Sequence, residues 1–327
     1  KSFLRTLENG VIQFEKIVSS TSGSKINGKD AFKLYDTYGF PLDLTELMAE
    51  ERKMTVDIEG FNIEMKSQKE LAKSGQKFEM NNLDLKWNLE TKSSHSIFVG
   101  YENEIISSKI INYAYSESEI IIVLENTPFY SESGGQIGDT GIIKNDDFSA
   151  RVNDTQKNGD YVLHICKLTN GAIGDNLSVE CIIDVDRRNN IKVNHTATHL
   201  LHQSLKDVLG SHVNQAGSLV HPEYLRFDIT HPNKISLKQL EAIELIVNKK
   251  ISEDITVETN IKSLEEAKKE GATALFGEKY GDQVRVVTMG EYSKELCGGT
   301  HVSSTGKIKK FKIKHDKAIS SGIRRIN

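Results

Sequence analysis

The chain has 327 residues, 37% of them hydrophobic, and a formal net charge of −4. That length exceeds one small domain and points to two or three, and the lack of any apolar run long enough to cross a bilayer excludes a helical membrane protein. Bulk charge excludes a chain that simply attracts polyanions, and three widely spaced cysteines (Cys166, Cys181, Cys297) fit a reducing cytosol, so a cytoplasmic location is expected.

In chain order, Phe3, Leu4, Leu7, Val11, Phe14 and Val18 recur at helical spacing. A second element opens at Gly28 and is broken by Tyr38-Gly39-Phe40-Pro41. Residues 42–52 and 61–74 read as further helices, so 1–92 is predicted to be a helical segment. The opening residue is Lys, and the chain is expected to be a piece of a longer protein.

The pattern then turns to β-branched runs at 105–115, 119–125, 161–168 and 177–185. Residues 93–184 are predicted to form a small β-barrel or sandwich. Within them lies Thr127-Pro-Phe-Tyr-Ser-Glu-Ser-Gly-Gly-Gln-Ile-Gly-Asp-Thr-Gly141, glycine-rich enough to require a tightly turned loop. Such a loop is either a bulged hairpin or a backbone that must approach a ligand closely.

From 185 to 327 helices and strands mix, which predicts an α+β domain of sheet covered by helices. A helix over 190–209 ends at Gly210. Ser236 with Gln239, and Ser263 with Glu266, are capping boxes that open two more helices. Strands are predicted at 225–229, 256–261, 283–289 and 308–314.

The 190–209 helix carries His195-Thr-Ala-Thr-His199, and a glycine-containing stretch far downstream reads Cys297-Gly-Gly-Thr-His301. Two histidines at i and i+4 project from one side of a helix, opposite the apolar residues Val193, Ala197, Leu200, Leu201 and Val208. Three imidazoles and a thiolate suit Zn²⁺, so His195, His199, Cys297 and His301 are the expected metal ligands, with His202 as an alternative ligand or a polar neighbour. The residues between the histidines include no Glu to serve as general base, which argues against a metallopeptidase. Four bound ligands would make a closed structural site; three would leave a position for water.

Residues 306–327 hold Lys307, Lys309, Lys310, Lys312, Lys314, Lys317, Arg324 and Arg325 against Asp316. This stripe either holds phosphates or is the solvated face of a strand.

Taken together, the strings Ala31-Phe-Lys-Leu-Tyr-Asp-Thr-Tyr-Gly-Phe-Pro41, Thr127–Gln136, Asn194-His-Thr-Ala-Thr-His-Leu-Leu201, Gln215-Ala-Gly-Ser-Leu219, Leu225-Arg-Phe-Asp228, Phe276-Gly-Glu-Lys-Tyr280, Glu295-Leu-Cys-Gly-Gly-Thr-His301 and Ser321-Gly-Ile-Arg-Arg325 resemble the alanyl-tRNA synthetase family, from the end of its tRNA-recognition region through its editing domain. The resemblance implies hydrolysis of the ester in Ser-tRNA(Ala) and Gly-tRNA(Ala), with tRNA(Ala) as partner and one Zn²⁺ as cofactor. It implies that ATP and Mg²⁺ serve an aminoacylation domain outside this segment, and that oligomerisation uses a C-terminal domain also outside it. By the same resemblance His195, His199, Cys297 and His301 match metal positions. Gln215 and Gln136 match positions beside the editing pocket and stand as catalytic candidates. Gly134, Gly135 and Thr198 stand as substrate contacts, with Lys309 and Lys312 as contacts to tRNA. Two rival readings remain: a tRNA-binding module with a purely structural zinc, and a free-standing hydrolase that edits in trans.

Overall fold

A computed structural model of the chain describes residues 2–21, 23–38, 40–74, 87–89, 95–116, 118–274, 280–320 and 322–327. The chain divides into two compact units, Lys1–Asp84 and Leu85–Asn327. The expected boundary between 92 and 93, residues 276–279 of one quoted string, Gly39 and Ser321 lie outside the described residues.

The first unit contains α1 (Ser2–Ser20), β1 (Lys25–Ile26), α2 (Gly28–Asp36), α3 (Leu42–Glu51), β2 (Thr55–Val56) and α4 (Ile58–Ser74). Asn27 starts α2 by accepting the Asp30 N–H at 2.9 Å, which satisfies one of the free donors of the first turn. Phe14, Ile26, Leu34, Phe40 and Phe61 form its buried core. The expected helices are present. The short parallel β1–β2 ladder was not anticipated, because two residues per strand carry no alternation to detect.

The second unit begins with β3 (Ile97–Phe98), β4 (Ile105–Tyr115), β5 (Ile120–Leu124), β6 (Asn126–Thr127), β7 (Gly141–Lys144), β8 (Phe148–Asn158), β9 (Tyr161–Gly171) and β10 (Ser178–Ile183). Six of these close a barrel in the order β10-β4-β5-β9-β8-β7, each pairing antiparallel. Closure leaves no free edge, and Ile120, Ile122, Leu124, Phe148 and Val152 fill the interior. The mixed α and β architecture with a barrel matches the expectation from sequence.

Next come α5 (Val185–Leu209), β11 (Gln215–Val220), β12 (Leu225–Thr230), α6 (Leu237–Ser252), β13 (Val257–Ser263), α7 (Leu264–Lys269), β14 (Gln283–Met289), β15 (Ser293–Leu296), β16 (Asp316–Ser320) and β17 (Ile323–Ile326). They make two sheets, β11-β12-β17-β16 and β13-β14-β15. Leu200, Leu201 and Leu205 of α5 pack with Phe227, Ile243 and Val247 in one cluster. Asp184 caps α5 through the Arg187 N–H at 3.0 Å, and Gly210 ends it at φ 114. Both capping boxes form.

One expected strand is absent. Residues 308–314 do not join a ladder; a 3₁₀ turn covers Thr305–Ile308, and Lys309 lies at φ 68. The backbone N–H groups that a ladder would need are taken by α6 side chains: Asn248 accepts from Phe311 at 2.9 Å and Glu244 from Ile313 at 3.2 Å. Satisfied donors have no call on a neighbouring strand.

The barrel and α5 are joined by Arg188, which is fully buried. Its Nε donates to Asp139 at 2.9 Å, Nη1 to the Gly100 carbonyl at 2.7 Å, and Nη2 to the Pro128 carbonyl at 2.9 Å. Asp139 also accepts the Tyr130 N–H at 2.7 Å. The glycine-rich loop is thereby tied to the helix that bears the histidines.

Candidate metal centre and adjoining cavity

His195, His199, Cys297 and His301 converge, with one donor atom from each lying within 4.8 Å of the others. The sulfur stands 3.4 Å from His195 Nε2 and 3.3 Å from His301 Nε2. The loop that follows β15 delivers the downstream half. Glu295 lies within β15, two residues before Cys297, and alternate residues of an extended chain face one way.

Each imidazole is oriented by an acceptor on its Nδ1. Gln136 Oε1 accepts from His195 Nδ1 at 2.8 Å; it also accepts the Thr300 N–H at 2.9 Å, which identifies that amide atom as the oxygen. Glu295 Oε2 accepts from His199 Nδ1 at 2.6 Å. Thr196 Oγ1, which donates to the Lys192 carbonyl at 2.8 Å, accepts from His301 Nδ1 at 3.2 Å. His195 and His301 therefore turn Nε2 toward the sulfur, and His199, its Nδ1 held by Glu295, contributes a ring nitrogen to the same cluster. Partners of this kind fix the tautomer and raise ligand basicity at metal sites. His199 Nε2 is buried with no hydrogen-bond partner, as a coordinating atom would be in a ligand-free chain. The donor set and its orientation fit a metal ion.

Electrostatics agree. Burial alone would raise the Cys297 thiol, but the imidazoles of His195, His301 and His199 hold it well below the ordinary thiol range. Burial lowers His301 to about 3, keeping a neutral ligand. For His199, burial opposes protonation, but Glu295 and Cys297 outweigh it and raise the ring to about 10, so a metal ion would displace a proton from its Nε2 on binding. Glu295 would be raised by burial, yet His199 and His202 hold it well below the usual carboxylate range. An unpaired carboxylate there would cost several kcal/mol.

The histidine face of α5, opposite its apolar residues, is buried as well. His195, His199 and His202 are all buried, because β15 and the 297–301 loop cover them. His202 is not among the four converging donors; its Nδ1 donates to Glu295 Oε1 at 2.9 Å.

Glycines allow the close approach. A Cβ on Gly299 would sit 2.0 Å from His195 Cε1, and one on Gly135, at φ +82, would sit 2.8 Å from the Ser218 carbonyl oxygen. The second contact belongs to a local pairing in which the glycine-rich loop runs parallel to β11 at Gln136 and Val220.

A cavity of about 470 Å³ opens beside the cluster. Its lining includes His195, His199, Cys297, Gln215, Thr198, Gly134, Ser218 and Arg285. Thr198 donates to the Asn194 carbonyl at 2.8 Å, leaving its oxygen free to accept. Gln136, a catalytic candidate from the resemblance, lies at 0% exposure with both ends of its amide engaged by His195 and Thr300. Lys309 and Lys312 are not in the cavity wall; Lys312 pairs with Glu244 at 3.0 Å. Arg324 and Arg325 of the same stripe are matched by Asp316 and Asp228.

Sequence reasoning missed Glu295, Arg285 and Tyr101. Arg285 Nη1 donates to the Gly299 carbonyl at 2.6 Å and its guanidinium lies 4.2 Å from the Tyr101 ring centre, while the Tyr101 hydroxyl donates to the Gly298 carbonyl at 2.5 Å. These two brace the Cys297–His301 loop. Glu295 had a readable signal, its two-residue offset from Cys297.

Comparison with known proteins gives the family. Residues 1–187 match the family model of class II (A) tRNA synthetases. Residues 284–327 match the threonyl and alanyl tRNA synthetase second additional domain. The chain belongs to the alanyl-tRNA synthetase family. It is 46% identical over 334 residues to the alanine–tRNA ligase of Cytophaga hutchinsonii, covering 99% of this chain and 37% of that protein. It is 45% identical over 336 residues to the Haemophilus influenzae (strain PittGG) enzyme, covering 100% and 38%, and 47% identical over 336 residues to the Hydrogenovibrio crunogenus enzyme, covering 99% and 38%. The alanyl-tRNA synthetase segment seen here thus spans little more than a third of those relatives. No helix among its described residues is long and apolar enough to cross a membrane.

Proposed function

We propose that this segment is the editing part of an alanine–tRNA ligase, a cytoplasmic enzyme whose other parts attach alanine to tRNA(Ala) with ATP and Mg²⁺ and hold the oligomer together. Its reaction is hydrolysis of the ester in Ser-tRNA(Ala) and Gly-tRNA(Ala). The need is physical. A pocket that accepts alanine gains only ~1–3 kcal/mol against one methyl or hydroxyl, so a second site must restore accuracy. In this reading 1–92 is a tRNA-recognition segment, 93–184 a barrel presenting the glycine-rich loop, and 185–327 the deacylase.

The observation that carries the reading is the cavity beside the four-donor cluster, walled by groups that suit a small aminoacyl ester. His195, His199, Cys297 and His301 would hold zinc, which when bound supplies positive charge at that wall and locks the two segments together. Water adds to the ester carbonyl, the bond to the terminal ribose oxygen breaks, and that oxygen leaves with a proton. Gln215 offers an amide to the amino acid or ribose. Thr198 offers an acceptor, and the backbone at Gly134 and Gly135 allows close approach. Gln136 is a positioning residue that holds His195. Arg285 places positive charge at the rim, suited to the phosphate of the tRNA end.

The test is to incubate the purified chain with Ser-tRNA(Ala) and Gly-tRNA(Ala). Ester loss well above the spontaneous rate is expected. One observation favours a second reading: four protein donors converge, the number that closes the coordination of a structural zinc, as in a tRNA-binding module. Binding of both tRNAs with no turnover would select that module.

A further inference from the structure

His202 lines the same cavity as the cluster yet stands outside the four converging donors. It is 2% exposed. Its Nδ1 donates to Glu295 Oε1 at 2.9 Å, and its ring lies against Phe227, with centroids 5.3 Å apart. Those two contacts set the ring's position and tautomer. Its Nε2 is buried and without a hydrogen-bond partner, in a residue that lines the cavity. A buried polar atom without a partner is rare in native structures and calls for a reason. For His199 the reason is the donor cluster; His202 has no such explanation.

We infer that His202 is a substrate-recognition residue, whose Nε2 accepts a hydrogen bond from a donor at the aminoacyl end of the ligand. The inference deepens the proposed editing function and rests on the cavity receiving that end. With Nδ1 committed to Glu295, Nε2 is the ring's one remaining polar atom, and in the proposed role it accepts. An aminoacyl adenosine carries two suitable donors, the α-ammonium shared by seryl and glycyl esters and the hydroxyl found only on serine. Glu295 then serves both roles at once, orienting one imidazole toward the metal position and its neighbour toward the ligand. The i, i+3 spacing of His199 and His202 makes this possible, since both stand over one carboxylate.

The probes are 3′-seryl-amido- and 3′-glycyl-amido-3′-deoxyadenosine, in which an amide replaces the labile ester. Binding to the full chain is read by calorimetry, alongside metal content, melting temperature, and KM and kcat on both mischarged tRNAs. His202→Asn keeps a donor where Nδ1 stands but has nothing where Nε2 stands. His202→Gln reaches the Nε2 position with an amide oxygen. The expected result is roughly tenfold weaker probe binding for the Asn variant, a matching rise in KM with kcat little changed, and recovery in the Gln variant. Loss on the seryl probe alone identifies the hydroxyl as donor; equal loss on both identifies the ammonium. Should His202→Asn lower metal content or melting temperature, His202→Phe carries the same comparison.

Both probes binding the Asn variant within twofold of wild type would overturn the inference while leaving the editing reading intact. A wild-type chain without hydrolase activity would overturn editing, and the probe titrations would still decide the role of His202. Failure of the wild type to bind either probe overturns the recognition role.

Discussion

The donor cluster and the basic stripe were both conspicuous in the sequence, and they differ in nearly every physical respect. In the cluster each histidine has an acceptor on Nδ1 supplied by a different element: Gln136 from the barrel loop, Glu295 from β15, Thr196 from α5 itself. In the stripe Lys312 is 68% exposed and held by one carboxylate, and both arginines are neutralised by aspartates. Pairs at exposed side chains contribute about 0–1 kcal/mol. A cluster whose members are each fixed by partners far away in sequence is a built site. A run of charge is not, until something is shown to meet it.

The comparison breaks hardest at the support beneath the cluster. Arg188→Ala leaves the Asp139 carboxylate buried without its partner and frees the glycine-rich loop. A loss of about 3–5 kcal/mol is expected, read from the urea midpoint, and a cost below about 1 kcal/mol would show that the loop is held by other means.

A buried imidazole remote from the cluster sharpens the comparison under acid. His164 in the barrel core is lowered by burial from the ordinary imidazole value of 6.5 to about 4, and holds Thr127 and the Ile122 carbonyl. Its folded pKa lies below its unfolded one. The unfolded chain therefore binds the extra proton first, and stability falls as pH drops from about 6.5 toward about 4. The expected loss is about 3 kcal/mol. It should persist after chelation and shrink in His164→Asn, whereas acid effects on the cluster should follow the metal.

Gln136→Ala removes the acceptor that orients His195 without touching a ligand atom. Metal affinity is expected to fall roughly tenfold or more, measured by competition with a chelator; unchanged affinity would mean that the loop takes no part in the centre. The smallest effect is expected at the stripe. Replacing Lys309 and Lys312 by Glu should weaken tRNA binding a few-fold at low salt and less at high salt. Equal affinity at all salt concentrations would leave these lysines to solvation alone.

The legible parts were those written locally. Ser236 and Ser263 announce their helices within four residues, Gly210 ends α5, and His195 with His199 states its own geometry. The contacts that make the site were not local. Gln136 is read as a loop residue until His195 arrives 59 positions later. His202 reads as a spare ligand or a polar neighbour until Glu295, 93 positions later, takes its Nδ1. The 308–314 segment alternates like a strand, but its N–H groups are claimed by Glu244 and Asn248 of α6, which no window around residue 310 contains. Pattern reveals what a segment can do alone; burial depends on what lands upon it.

The most direct measurement is a metal count on the purified chain together with X-ray absorption at the zinc edge, repeated for Cys297→Ala. One zinc per chain is expected, with nitrogen neighbours at about 2.0–2.1 Å and one sulfur at about 2.3 Å, the sulfur signal lost in the variant. A chain that binds no metal, or a zinc whose spectrum shows no sulfur, would contradict a centre built from these two distant segments.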